Sequence, residues 1–184
     1  MNLITKPTMT VDEFLAWAEG REGKFELIGG VVQQMSPERA DHNRVKAAVW
    51  VMLKAAIKRA KLPCEALTDG MTVRVGQRRA FVPDAIVHCQ PKLDGKSVEV
   101  REPVIVVEVL SPSSLASDSG AKLSGYFGLP SVAHYLIVDV DERTVVHHRR
   151  ASGEAIETRV LTDGILKLDP PGLEVSVQAF FEDL

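Results

Sequence analysis

Two runs dominated by Val and Ile, Phe81 to His88 (FVPDAIVH) and Val104 to Leu110 (VIVVEVL), each carry one carboxylate where the pattern calls for an apolar side chain. Short apolar runs bounded by Gly, Pro and charged residues read as strands buried in a sheet. An ionised carboxylate in such a strand is costly unless it is paired, hydrogen-bonded or bound to a cation. Asp84 and Glu108 therefore constrain the chain twice: it builds a covered sheet, and that sheet holds two acids that need partners. Taken alone, Pro83-Asp84 reads equally well as an edge or bulge whose Asp bonds a nearby amide. Glu108 alters the balance, because Val106, Val107, Val109 and Leu110 flank it and supply no cation. Two such acids on neighbouring strands point to a metal site.

The remaining pattern surrounds these strands with helices. Thr10 to Glu13 (TVDE) has the form of a capping box, and Phe14, Leu15, Trp17 and Ala18 follow with helical spacing. Lys24 to Met35 (KFELIGGVVQQM) reads as a β-hairpin turning at Gly29-Gly30. From Arg39 to Lys61 apolar residues recur at three- and four-residue steps, the mark of a long amphipathic helix. Met71 to Val75, Phe81 to His88 and Val104 to Leu110 are expected to form a three-strand core. A short helix over Asp118 to Phe127 comes next, followed by strands at His134 to Val140, Thr144 to Arg149 and Ile156 to Leu161, and a closing segment at Val175 to Phe181. The expected fold is α/β in the α+β sense: a mixed β-sheet flanked by helices, with an N-terminal helix and β-hairpin. The 184 residues suit a single domain spanning 1–184.

Composition excludes some functions. A formal net charge of -3 argues against binding nucleic acid through bulk positive charge, though an acidic metal site would itself contribute to that figure. Aromatic residues are 5% of the chain, too few for extensive base stacking. No apolar run approaches the roughly 20 residues that span a bilayer, and the first residues lack a signal-peptide core. The expectation is a cytoplasmic protein without a membrane segment. Cys64 and Cys89 match no metal or redox spacing and are read as separate packing residues. The long helix carries Arg44, Lys46, Lys54, Lys58, Arg59 and Lys61 against the single acid Asp41. These read as a solvated face, or, with Arg74, Arg78 and Arg79, as a track for a phosphate backbone. His147 and His148 point to opposite faces of their strand, so they do not share a metal.

Asp118, Lys122 and Tyr126 fall at four-residue steps and share one face of the short helix. That helix starts soon after the strand of Glu108, which lets Lys122 reach back toward the two acids. With these residues in place, the chain resembles the PD-(D/E)XK nuclease superfamily, and within it the Uma-two family of restriction-endonuclease-like proteins. The resemblance runs through FELIGG, the following MSP and His42, VPDAIV, VVEVLSPSS, the Asp118/Lys122/Tyr126 face and GLPSVAHYLIVD. It implies a restriction-endonuclease-like fold and a Mg²⁺-dependent DNA endonuclease, with Mn²⁺ able to substitute; a homodimer is expected because a symmetric dimer can place one site on each strand of a duplex. By the same resemblance Asp84 and Glu108 hold the metal, Glu26 completes the site, and Lys122 is the catalytic amine. Leu110 stands where the superfamily usually has its lysine. His42, Asp118 and Tyr126 are auxiliary, with His42 contacting phosphate or orienting Glu26. The alternative is a nuclease-fold module without efficient chemistry that binds nucleic acid or a protein partner.

Overall fold

The computed structural model describes residues 8–110, 119–153 and 155–184. Thr10 caps helix α1 (Val11–Ala18), accepting from Glu13 N at 3.3 Å, while Glu13 Oε2 accepts from Thr10 N at 2.8 Å. Val11 and Phe14 on this helix bury against Leu27 and Ala80. Strands β1 (Phe25–Ile28) and β2 (Val31–Gln34) form the expected hairpin, in register from Phe25 opposite Gln34 to Ile28 opposite Val31. Both turn residues have positive φ, 59° at Gly29 and 82° at Gly30. At Gly30 a Cβ would fall 2.6 Å from Thr8 Cβ, so this position excludes side chains on two grounds. With β4 (Val73–Gly76) and β5 (Arg79–Phe81) the hairpin completes a four-stranded sheet in the order β2-β1-β5-β4.

The larger sheet has the order β10-β9-β8-β7-β6-β3. Its strands are β3 (Cys64–Thr68), β6 (Ala85–Cys89), β7 (Pro103–Leu110), β8 (His134–Asp139), β9 (Thr144–Arg150) and β10 (Ile156–Leu161). β7 and β8 are parallel, joined through helix α3 (Ser119–Phe127); the other neighbours are antiparallel. Along β7 the side chains alternate between two layers. Ile105, Val107 and Val109 join Val45, Val49 and Leu53 of helix α2 (Ala40–Ala60), with the hairpin of β11 (Ile165–Leu168) and β12 (Leu173–Ser176) closing that side. Val106 packs on the other face with Phe81, Ile86, Tyr135 and Tyr126 of α3. A parallel strand pair covered on both faces explains why β7 reads as an almost unbroken apolar run.

Three expectations are corrected. Phe81 to His88 is not one strand: β5 ends at Phe81 in the smaller sheet, β6 begins at Ala85 in the larger, and Val82-Pro83-Asp84 carries the chain between them. Pro83 has no N–H to give to a ladder, so the break falls there. The three-strand core therefore divides, with β4 assigned to the smaller sheet. Nor are Cys64 and Cys89 separate packing residues. They lie opposite one another in the β3–β6 register and are joined as a disulfide, a pairing that depends on strand register rather than on sequence spacing. β3 and the β11–β12 hairpin were unforeseen; at four or five residues each, they carry little periodic signal.

Away from the carboxylates, His134 on β8 and His147 on β9 form a buried pair, Nδ1 to Nε2 at 2.8 Å. Burial pushes both imidazoles down to about 4, and for His147 the neighbouring His134 adds to the effect. The unfolded chain binds protons on these residues below their ordinary value of about 6.5, while the folded chain does not until about 4. Stability is thus intact above pH 6.5 and falls as pH drops from 6.5 toward 4. Thermal melts across this range should show a declining midpoint whose slope flattens in His147→Leu. An unchanged slope in that variant would remove the pair from the acid response.

Candidate active site

The site forms at the C-terminal end of β7, where the layers carrying α2 and α3 meet. β6 begins at Ala85, opposite Val107, so Val109 lies beyond the end of its antiparallel neighbour. Side chains complete the ladder instead. Asp84 Oδ2 accepts from Val109 N at 2.7 Å, and His42 Nε2 donates to Val109 O at 2.6 Å. Asp84 N still donates to Val107 O at 3.0 Å. Asp84 thus has a structural task, as the acceptor that continues β6 where the backbone turns away, and it is 6% exposed. Its other oxygen, Oδ1, lies 2.8 Å from Lys46 Nζ.

Glu108 projects from β7 toward α3. Tyr126 OH donates to its Oε1 at 2.6 Å, and Lys122 Nζ lies 3.0 Å from the same oxygen. The ammonium also sits 3.1 Å from Glu26 Oε1, which accepts from Val82 N at 3.0 Å. Lys122 therefore ties the hairpin to the central strand. Burial raises the Glu108 carboxyl to about 7 against the opposing pull of Lys122, and the charges of Asp84 and Glu26 push the same way. Burial works against the Lys122 ammonium, but Glu108 and Glu26 outweigh it and raise its pKa. The Tyr126 hydroxyl is held well above its ordinary range by burial and by Glu108.

Glu26, Asp84, Glu108 and Lys122, distant in sequence, are thus gathered at one end of the sheet, with Tyr126 against Glu108. Glu26 is buried, 5% exposed. His42 is beside Asp84, with Nε2 at 4.0 Å from Oδ2; its contacts are with Val109, Glu38 and Asp84, and not with Glu26 as expected. Asp118 lies outside the described residues. Arg74 does not belong to a phosphate track, because Glu99 and Asp12 hold its guanidinium, at 2.8 and 2.5 Å.

Sequence reasoning missed a second group of charges. Lys46, read as part of a solvated basic face, is 7% exposed. Its Nζ meets Asp84, Glu38 Oε1 at 2.7 Å and Asp69 Oδ2 at 2.5 Å. Lys24 also pairs with Asp69. A signal was available: Lys46 shares the buried stripe of α2 with His42, Val45, Val49 and Leu53, where a solvated lysine does not belong. Burial opposes the Lys46 charge, but Asp84 and the hydrogen bonds from Asp69, Asp84 and Glu38 prevail and raise its pKa.

Glu26, Glu38, Asp69, Asp84 and Glu108 bring five carboxylates against the ammonium groups of Lys24, Lys46 and Lys122. Among the described residues, Glu38, Asp69 and Asp84 are the group whose oxygens come within 4.8 Å of one another. Its donor oxygens are those a hard divalent cation accepts. That carboxylate group fits such an ion by its donor chemistry.

A family model described as "Putative restriction endonuclease", Uma2, matches residues 11–179. Two proteins of Synechocystis described as uncharacterized are similar to this chain. One is 25% identical over 97% of this chain and 94% of its own length; the other is 27% identical over 82% and 85%. A crystal structure from Anabaena variabilis, described as a "putative nuclease belonging to DUF820", superposes with a TM-score of 0.73 at 21% identity. The match covers 94% of this chain and 97% of that one.

Proposed function

We propose, from the premise that this chain belongs to the Uma2 family, that it is a divalent-metal-dependent endonuclease hydrolysing DNA phosphodiester bonds as one domain. The observation that carries this reading is the Lys122 ammonium lying between Glu26 and Glu108, with Asp84 bonded to the N–H of Val109, the residue next to Glu108. Asp84, Glu108 and Glu26 would hold Mg²⁺, for which Mn²⁺ would substitute. When bound, such an ion polarises the phosphate and lowers the pKa of a coordinated water.

The protein's own groups do the rest. Lys122 donates to the attacking water or to a phosphate oxygen, and its charge stabilises the negative charge that develops during displacement. The amine reaches the site from α3, which explains how Leu110 can occupy the usual lysine position on the strand. Tyr126 fixes the Glu108 carboxylate, and Asp84 is fixed by Val109 N. A symmetric homodimer would set one such site on each strand of a duplex. A cytoplasmic working compartment is part of the same proposal.

The test is relaxation and linearisation of supercoiled plasmid with Mg²⁺ or Mn²⁺, wild type against Glu108→Gln. Cleavage should require the metal and fall by roughly 10²-fold or more in the variant. Equal cleavage by the two proteins would overturn the reading. A wild type that binds Mn²⁺ yet leaves varied DNA substrates intact would favour a binding module on the nuclease scaffold.

A further inference from the structure

Three carboxylates on the α2 side of Asp84 have oxygens within 4.8 Å of one another: Glu38 in the loop before α2, Asp69 after β3, and Asp84 itself. The β3–β6 pairing explains how two of them meet. The register ends at Thr68 opposite Ala85, so Asp69 and Asp84 leave adjacent strands at the same end. The Lys46 ammonium sits among the three groups, at 2.7 Å from Glu38, 2.5 Å from Asp69 and 2.8 Å from Asp84.

One neighbour is left unserved by that ammonium. His42 is 8% exposed, and its Nε2 must carry hydrogen because Val109 O can only accept. The other ring nitrogen, Nδ1, is buried with no hydrogen-bond partner among the described residues, 3.5 Å from Glu38 Oε2. Nδ1 and Glu38 Oε2, 3.5 Å apart, are both atoms that a divalent cation can take as ligands. An ammonium spends its three hydrogens on the three carboxylates, whereas a divalent ion of larger coordination number can take the imidazole as well.

We propose that Glu38, Asp69, Asp84 and His42 form a second cation seat, and that Lys46 and a divalent ion are its alternative occupants. The lysine is a tethered cation that holds the acids together in the metal-free protein and is displaced when an ion binds. Three carboxylates with one imidazole nitrogen favour Mn²⁺ over Mg²⁺. The seat shares Asp84 with the proposed nuclease site but does not depend on DNA cleavage.

Lys46→Gln removes the tethered competitor, and the measurement is Mn²⁺ bound per chain, read from the paramagnetic signal of free Mn²⁺, together with thermal midpoints in EDTA and in Mn²⁺. The variant should bind an additional Mn²⁺ about tenfold more tightly than wild type does at this seat, the ratio expected for removing even a weak internal competitor. Its midpoint should fall in EDTA and recover in Mn²⁺, more than in Mg²⁺. Adding Asp69→Asn should abolish the extra binding. No gain over wild type, or a gain that survives Asp69→Asn, would overturn the proposal. Should Lys46→Gln be unfolded in EDTA, refolding on addition of Mn²⁺ supports the seat and failure to refold overturns it. Repeating the titration in a Glu108→Gln background separates this proposal from the nuclease reading, because the gain tied to Lys46 should persist there while cleavage is lost.

Discussion

Lys122→Ala is expected to reduce metal-dependent plasmid cleavage by roughly 10²-fold or more, the scale for losing a positioned electrostatic or acid-base group. It should also lower the stability of the metal-free protein. Lys122 lies within 3.0 and 3.1 Å of Glu108 and Glu26, both buried, and removing a buried partner costs on the order of 3–5 kcal/mol. Glu108 can relieve part of that penalty by taking up a proton, since its carboxyl already sits at about 7. The stability loss should therefore be larger at pH 8 than at pH 6. Lys122→Arg should fail in cleavage too, because a planar guanidinium does not replace a compact ammonium between two carboxylates. The measurements are plasmid cleavage in Mg²⁺ and thermal melts in EDTA at the two pH values. Cleavage by Lys122→Ala at the wild-type rate would remove this lysine from the chemistry.

The second large effect is expected at Asp84, where charge and fold can be separated. Asp84→Asn keeps an oxygen that can accept from Val109 N, but removes the charge that faces Lys46 Nζ at 2.8 Å. Mn²⁺ affinity should fall by roughly 10²-fold, as for a hard cation deprived of an anionic ligand. Asp84→Ala should lose the same affinity and further stability, since it strips Val109 N–H of its acceptor and leaves Lys46 short of a partner. Calorimetry with Mn²⁺ on wild type and Asp84→Asn, with melts of both variants, tests this. Equal Mn²⁺ affinity in wild type and Asp84→Asn would show that Asp84 is not a ligand.

Asp84 also separates what residue types dictate from what the fold dictates. Asp84 was legible as a carboxylate with no business in an apolar run, and Glu108 likewise. That argument needs only the energetic penalty of burying charge, which is a property of residue types and their neighbours. What was not legible is that Asp84 terminates the ladder, because this requires knowing that Pro83 marks a transfer between two sheets. Lys46 is the sharper case. Its charge suggested solvent, while its place on the α2 stripe suggested the interior, and only the meeting of Glu38 and Asp69 around it makes the second outcome affordable.

The helices, the hairpin at Gly29-Gly30, the apolar strands and the two acids within or beside them follow from residue order alone, because local periodicity, turn chemistry and the energetics of buried charge act over a few residues. The same order also supported the family resemblance through its motifs. Only the tertiary structure decided which strands share a sheet, that Cys64 faces Cys89, and that Lys122 and Lys46 approach Glu108 and Asp84 from opposite layers. Those facts depend on register and on packing between residues far apart in the chain, and the electrostatics of a buried site are set by such neighbours rather than by spacing along the sequence.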